Sequence, residues 1–237
     1  MSMPLMPLLP AIGSAVVALA GCSMAEVRLS DGFSSRSISY EVSGYSPRRF
    51  NQPLRFGPYS ALEMRDGGIF STSIPLRSVE LQGSWRPFAF TQTTTGQPPV
   101  EVRCQSTALS AETGRDSRRL SIDLNALAGP FMDCGLRPGN NSAGSFELSR
   151  NGVRIQGMLE SESGPYAVRS IHLMAGTSLP TSEPAGVEFQ RDGKVLALVD
   201  LLNSGRVHMD RSLDEHERIY LAAAASSVLM LDLSFDG

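Results

Sequence analysis

The stretch SLDEHERIYLAAAASSVLMLDL, residues 212–233, is apolar or small at every position from Ile219 to Leu231. Ser212 and Glu215 have the Ser-x-x-Glu spacing of a capping box, in which two side chains satisfy free backbone amides of the first helical turn. Alanine favours helix strongly, so we predict a helix over residues 212–233. A helix that is apolar on every side must be buried on every side. It is also too short to cross a bilayer.

The chain before this helix predicts strands that would surround it. Alternating apolar residues, or apolar runs between turn residues, occur at residues 36–43, 59–65, 78–83, 86–92, 99–105, 118–124, 145–159, 166–173, 187–200 and 206–209. Asn151-Gly152 and Asp192-Gly193 lie inside two of these runs and predict tight hairpins. We expect a mainly β protein, an antiparallel barrel of about 10–12 strands with the hydrophobic C-terminal helix buried.

Two other placements of the helix remain open. One is a β-sandwich whose open end is capped by the helix, and the other is a helix swapped into or bound by a partner. The order of elements, many antiparallel strands followed by one Ala-rich helix, resembles the tubby C-terminal fold, a superfamily that includes LURP-one-related proteins and phospholipid scramblases. The resemblance implies a twelve-stranded barrel around a hydrophobic helix. No basic phosphoinositide cluster or calcium loop accompanies it, so it implies no ligand.

The N-terminus carries a second resemblance. The apolar run AIGSAVVALA, residues 11–20, has the length of a signal-peptide core and is too short to span a bilayer. Leu19-Ala20-Gly21-Cys22 resembles the lipobox of bacterial lipoproteins, although the preceding residues include no lysine or arginine. The alternative is a coincidental cysteine in an ordinary signal peptide or an apolar arm.

The lipobox resemblance implies that Cys22 carries lipid and that the segment before it is removed. Several acyl chains on one cysteine hold a protein on a membrane, whereas a single chain binds only marginally. Ser23 follows the cysteine, where an aspartate would favour the inner membrane. We therefore expect an outer-membrane lipoprotein facing the periplasm, with the inner membrane as the alternative.

These features predict the domain organisation. Residues 1–21 form the signal peptide, residues 22–35 a flexible tether, and residues 36–237 one β-rich domain that ends in the helix. With Cys22 lipidated in an oxidising compartment, Cys104 and Cys134 form an even pair and predict one disulfide. Two buried free thiols are the alternative. A redox site would need a Cys-x-x-Cys motif, and no histidine lies near either cysteine in sequence.

The sequence lacks a recognisable catalytic or metal motif, and we expect no enzyme, no cofactor and no metal. His208, Asp210 and His216 could in principle converge on a metal, and alternation would put Glu160 and Glu162 on one strand face. The single tryptophan, Trp85, is expected in the core or at its rim. The net charge of –3 gives no basic excess for nucleic acid.

Two function classes fit these observations. The first is a non-enzymatic envelope lipoprotein, attached to the membrane by its lipid, that supports an assembly or binds a partner protein. The second is a module that binds lipid or another small apolar ligand in a cavity at one barrel mouth. A helix that fills the barrel would favour the first class, because it would leave less room for a ligand.

Overall fold

The computed structural model describes residues 24–44, 52–113, 120–124, 129–139 and 143–231, without the side chains of residues 120 and 123. The elements in chain order are α1 (Phe33–Arg36), β1 (Ser37–Ser43), β2 (Leu54–Phe56), β3 (Tyr59–Asp66), β4 (Phe70–Leu76), β5 (Val79–Thr93), β6 (Val100–Thr113), β7 (Leu120–Asp123), β8 (Met132–Pro138), β9 (Gly144–Asn151), β10 (Arg154–Ser161), β11 (Gly164–Ile171), β12 (Gly186–Arg191), β13 (Lys194–Asp200), β14 (Arg206–Asp210) and α2 (Glu215–Met230).

Twelve of the strands close into an antiparallel barrel. The order around it is β5-β3-β2-β1-β14-β13-β12-β11-β10-β9-β8-β6, and the pairing of β6 with β5 completes the circle. Closure leaves no free strand edge in this ring. The prediction of a barrel with a buried C-terminal helix is confirmed, and both hairpins form as expected, β9 with β10 and β12 with β13.

Helix α2 occupies the barrel lumen. The side chains of Leu221 to Ala225 have no exposed surface, and Tyr220 is 1 % exposed. Inward-facing side chains of the strands pack against the helix, among them Phe90, Val102, Phe146, Tyr166 and Val199. The burial of small side chains on all sides of α2 is what its sequence demands, because no face of it tolerates water.

The start of the helix differs from the prediction. The helix begins at Glu215, and its capping box is Asp214 with Glu217, not Ser212 with Glu215. The Asp214 carboxylate accepts from the Glu217 amide at 2.7 Å. Ser212 is engaged instead by Asp210, which accepts from the backbone and the hydroxyl of Ser212 at 2.9 and 2.7 Å. Because Ser212 is held in that tight turn, the helix is capped instead by the next pair with this spacing, Asp214 and Glu217.

The predicted tether is also different in the structure. Val27 and Phe33 are buried in a second apolar cluster with Ala185, Val195 and Leu198, outside the barrel. The Val27 amide donates to the Asp200 carboxylate at 3.0 Å. Residues 24–36 are therefore packed on the barrel wall, because Val27, Leu29 and Phe33 find an apolar site there. Cys22 lies outside the described residues.

Strands β5 and β6 are much longer than the barrel needs. Residues 79–85 of β5 pair with β4, and residues 110–113 of β6 pair with β7. Together these parts of the four strands make a sheet that projects from one end of the barrel. We call this sheet the extension, and it comprises residues 70–86, 107–113 and 120–123. Two segments predicted as separate strands, residues 78–83 and 86–92, are parts of the single strand β5.

Cys104 and Cys134 lie directly opposite each other on β6 and β8 and are joined by a disulfide, with Cα atoms 4.0 Å apart. Both side chains face the lumen and are nearly fully buried. The Sγ atom of Cys104 is 3.6 Å from the Ser227 hydroxyl of α2. The cross-link therefore lies on the barrel wall beside the end of the helix.

Shortening a side chain of α2 should lower the stability of the protein strongly only where that side chain lies inside the lumen. Leu221→Ala removes fully buried atoms, and we expect the free energy of unfolding to fall by about 2–5 kcal/mol. Leu229→Ala deletes the same atoms from a half-buried position near the barrel mouth and should cost less than half as much. Urea denaturation of both variants checks this, and equal losses would contradict a helix enclosed by the barrel.

The disulfide should be detectable by counting thiols. In a Cys22→Ala chain recovered from an oxidising compartment and denatured without reductant, we expect no free thiol, because Cys104 and Cys134 are bonded. Replacing both by alanine should lower stability by about 3–4 kcal/mol for a loop of this length. Two titratable thiols in the denatured Cys22→Ala chain would contradict the disulfide.

Candidate interaction surface

The barrel end where α2 begins carries a network of paired charges. We call it the helix-entry end. Arg191 forms an ion pair with Glu217 at 2.6 Å, and the Tyr166 hydroxyl donates to the same carboxylate at 3.1 Å. The Arg191 guanidinium also lies 4.9 Å from the centre of the Tyr166 ring. Burial, and then the Glu217 charge, raises the pKa of Tyr166. These contacts fasten the first turn of α2 to the barrel rim.

A second cluster surrounds Asp210 at the same end. Arg36 and Lys194 form ion pairs with its carboxylate at 2.7 and 3.2 Å. Burial alone would raise the pKa of Asp210, but hydrogen bonds from Ser212, Arg36 and Lys194 outweigh burial and hold that pKa well below its usual range. The carboxylate is committed to tying α1, β13 and the start of the helix together.

The three histidines are separated. The His208 Nδ1 atom is 2.7 Å from the Ser39 hydroxyl, His172 contacts Ser170 and the Thr181 carbonyl, and His216 is 3.1 Å from Glu162. The hypothesis that His208, Asp210 and His216 bind a metal is therefore wrong. In the described part of the chain, no group of three or more His, Cys, Asp or Glu side chains is placed to hold a metal ion.

The predicted carboxylate pair is not a pair either. Strand β10 ends at Ser161, so Glu162 lies in the following turn and faces His216 of α2. Glu160 stays exposed on the strand. Because Glu162 lies beyond the end of the strand, the two carboxylates do not share the strand face expected from their spacing.

The extension leaves the opposite barrel end, where α2 terminates; we call it the extension end. At its base Arg86, buried, forms an ion pair with Asp66 at the end of β3. The hydrogen bond from Arg86 is the main cause that lowers the pKa of Asp66. The Gly67 amide also donates to the Pro87 carbonyl at 2.9 Å. These contacts hold the extension to the barrel rim at its point of departure.

The two faces of the extension differ sharply in polarity. Residues paired across an antiparallel ladder share a face, and successive residues alternate faces. By the observed register, one face carries Phe70, Ile74, Leu76, Val79, Leu81, Trp85, Leu109, Ala111 and Ile122. The other face carries Ser71, Ser73, Glu80, Gln82, Ser84, Ser110, Glu112 and Ser121. The extension is an amphipathic sheet.

The apolar face is solvent-exposed along its length. Ile74 is 53 % exposed and Ile122 49 % exposed, and Trp85, stacked on Phe70 with ring centroids 5.6 Å apart, is 39 % exposed. Of the two places expected from the sequence, the core and its rim, Trp85 is thus outside the core and next to Arg86 at the barrel rim. Contiguous exposed apolar side chains of this kind mark surfaces that contact a membrane or another molecule. Sequence reasoning missed this surface because it did not predict β4.

A cavity of about 560 Å³ opens at the extension end beside the last turn of α2. Val42, Leu54, Leu201, Leu229 and Leu231 supply its apolar lining, and Glu183 and Asn203 lie among its polar residues. This is the volume of a small-ligand site, and its place at a barrel mouth is the one expected for the second function class.

The N-terminal segment meets the barrel at this same end. Asn203, in the loop between β13 and β14, donates to the Ala25 carbonyl at 2.6 Å, and Arg206 forms an ion pair with Glu26 at 2.7 Å. Because adjacent strands alternate in direction, the start of β14 and the end of β3 lie at one end of the barrel. Met24, two residues after Cys22, therefore lies at the extension end.

Comparisons with protein-family models, with curated proteins and with solved structures found no match for this chain. The resemblances to bacterial lipoproteins and to the tubby fold stay predictions. Over the described residues, no helix has both the length and the apolar character to cross a bilayer.

Burial of His208 predicts a pH-dependent stability. Burial, helped by the Arg206 charge and opposed by that of Glu26, lowers the pKa of His208 to about 4. An unfolded histidine has a pKa near 6.5, so between about pH 6.5 and pH 4 the unfolded chain binds a proton that the folded chain does not. Stability contributed by the neutral ring should fall over that window by about 3 kcal/mol.

The measurement is the free energy of unfolding of the wild-type chain and of His208→Gln between pH 7 and pH 4. The difference between the two isolates the histidine from Asp200, whose pKa burial raises and whose titration works in the opposite direction. Parallel pH profiles for the two chains would show that His208 titrates normally when folded.

Proposed function

We propose that this protein is a lipid-anchored component of a bacterial cell envelope that acts through its surface and performs no catalysis. The observation that carries the proposal is the occupied lumen: α2, from the chain itself, fills the space in which a barrel of this size would bind a ligand. Contacts with other molecules must then fall on the outside of the barrel or on the extension.

Three further observations support the proposal. The Leu19-Ala20-Gly21-Cys22 sequence has the residues and position of a lipobox. The Cys104–Cys134 disulfide is typical of a protein that folds in an oxidising compartment. The ionisable side chains of the helix-entry end, Arg191, Glu217 and Asp210 among them, are engaged in ion pairs that fix the helix, which favours a structural role for them.

Lipidation can be tested with radiolabelled palmitate in a bacterial host. We expect the wild-type chain to take up the label and to sediment with outer membranes, whereas Cys22→Ala should do neither, because it lacks the thiol that accepts the lipid. Ser23→Asp is the matched variant: it should remain labelled and shift toward the inner-membrane fraction. Equal labelling of Cys22→Ala, or a wild-type chain found uncleaved in the cytosol, would overturn the proposal.

The cavity at the extension end supports a second candidate, a binding site for a small apolar molecule. Its volume of about 560 Å³ and its leucine-rich lining are compatible with such a ligand. Native mass spectrometry of the purified chain decides between the two functions. A stoichiometric bound molecule, lost in Leu229→Trp, would favour the ligand-binding function, and a ligand-free mass would favour the first.

A further inference from the structure

The apolar face of the extension needs an occupant, and its composition restricts the candidates. Every described position on this face is apolar, threonine or glycine, and none carries a charge. Glu80 and Glu112 both belong to the opposite face. A surface without charged anchors gives a protein partner little electrostatic basis for specificity.

The size of the face also argues against a second protein. Three strands of seven residues and one of four, spaced about 4.8 Å apart, cover on the order of 400 Å². A stable protein–protein interface buries about 800 Å² on each partner, so this face alone is about half of what a dimer or a tight complex needs. Binding to a bilayer does not need a minimum buried area of this kind when a lipid anchor already holds the protein at the membrane.

The described turn at the tip of the extension carries an arginine. Arg77 is exposed in the two-residue turn that joins β4 to β5. The sequence that connects β6 to β7, residues 114–119, contains three arginines and one aspartate and lies outside the described residues. Arginines next to exposed apolar side chains are the combination that binds the interface of an anionic bilayer.

The chain geometry brings this face to the membrane. Met24 lies at the extension end, and Cys22 is two residues away, at most about 7 Å along the chain. Strand β5 continues for seven residues, 79–85, beyond the barrel, a projection of about 23 Å. The lipid on Cys22 would hold the bilayer close to the extension end of the barrel. The extension projects several times farther than the distance from Met24 to Cys22, so it can reach that bilayer.

We propose that the apolar face of the extension is a second membrane contact, which binds the interface of the bilayer to which Cys22 is anchored. The inference rests on the proposed function, because the bilayer in question is the one that the lipid on Cys22 would enter. The aliphatic side chains of Ile74 and Leu76 would enter the acyl boundary, with Trp85 and Phe70 nearer the barrel and the polar face turned to water.

Trp85 makes the proposal directly testable, because it is the only tryptophan in the chain and it lies on the face in question. The full-length lipidated protein is reconstituted into vesicles of phosphatidylethanolamine and phosphatidylglycerol with brominated acyl chains. We expect the Trp85 emission to shift to the blue and to be quenched by the bromines. Anchored protein whose tryptophan emission stays unquenched would overturn the proposal while leaving the lipoprotein function intact.

Two neighbouring substitutions on opposite faces provide the matched control. Ile74→Asp introduces a carboxylate on the apolar face, and Ser73→Asp introduces the same charge on the polar face. Quenching should be lost in Ile74→Asp and kept in Ser73→Asp. In a Cys22→Ala background, vesicle partitioning should weaken about tenfold or more for Ile74→Asp relative to Ser73→Asp. Both positions lie outside the barrel, so thermal unfolding should show the barrel intact in each.

The remaining outcomes are also decisive. Equal quenching in Ile74→Asp and Ser73→Asp would overturn the proposal, because the signal would then not depend on the apolar face. A blue shift that grows with protein concentration in the absence of vesicles would assign the face to a second copy of this chain. Quenching in a chain that takes up no palmitate would support the membrane contact and remove the anchor, so the two proposals fail separately.

Discussion

A helix with no polar side cannot face water, and the architecture of this protein follows from that constraint. Twelve strands close around α2, because an open sheet would leave one side of the helix wet and two strand edges unpaired. Four consecutive alanines, Ala222 to Ala225, keep the helix thin enough to share the lumen with the aromatic side chains of the wall. Since the chain fills its own interior, what it offers to other molecules is its outer surface.

The extension shows how a strand leaves a core without ending. In β5 the even positions Phe88 and Phe90 are buried in the lumen, whereas beyond Arg86 the apolar residues occupy the odd positions, such as Leu81 and Trp85. Because side chains alternate across a strand, this switch from even to odd positions moves the apolar face from the inside of the barrel to the outside. The same strand thus supports two different surfaces, and the Arg86–Asp66 ion pair lies at the boundary between them.

Local signals in the sequence predicted what is local in the structure. The helix and the two Gly-containing hairpins depend on residues close in sequence, and the barrel follows from the number of strands. The capping box was wrong because Asp210, which also binds Arg36 and Lys194 from distant segments, holds Ser212. Strand β4 was missed because serines and threonines separate its apolar residues and Pro75 argues against a strand, although an edge strand such as β4 accepts proline. The switch of the apolar residues of β5 from odd to even positions is present in the sequence, but it was interpreted as two separate strands.

A second membrane contact matters for orientation more than for affinity. Several acyl chains on Cys22 would already hold the protein at the bilayer, but a flexible lipid leaves the barrel free to rotate about its attachment. A sheet face bound at the same barrel end as the anchor removes that freedom at small cost, because the effective concentration of bilayer near a tethered sheet is high. The extension continues the barrel strands and would bind through one face, so the barrel would lie along the bilayer. The helix-entry end, with its fixed ion pairs around Glu217 and Asp210, would then be the end farthest from the extension.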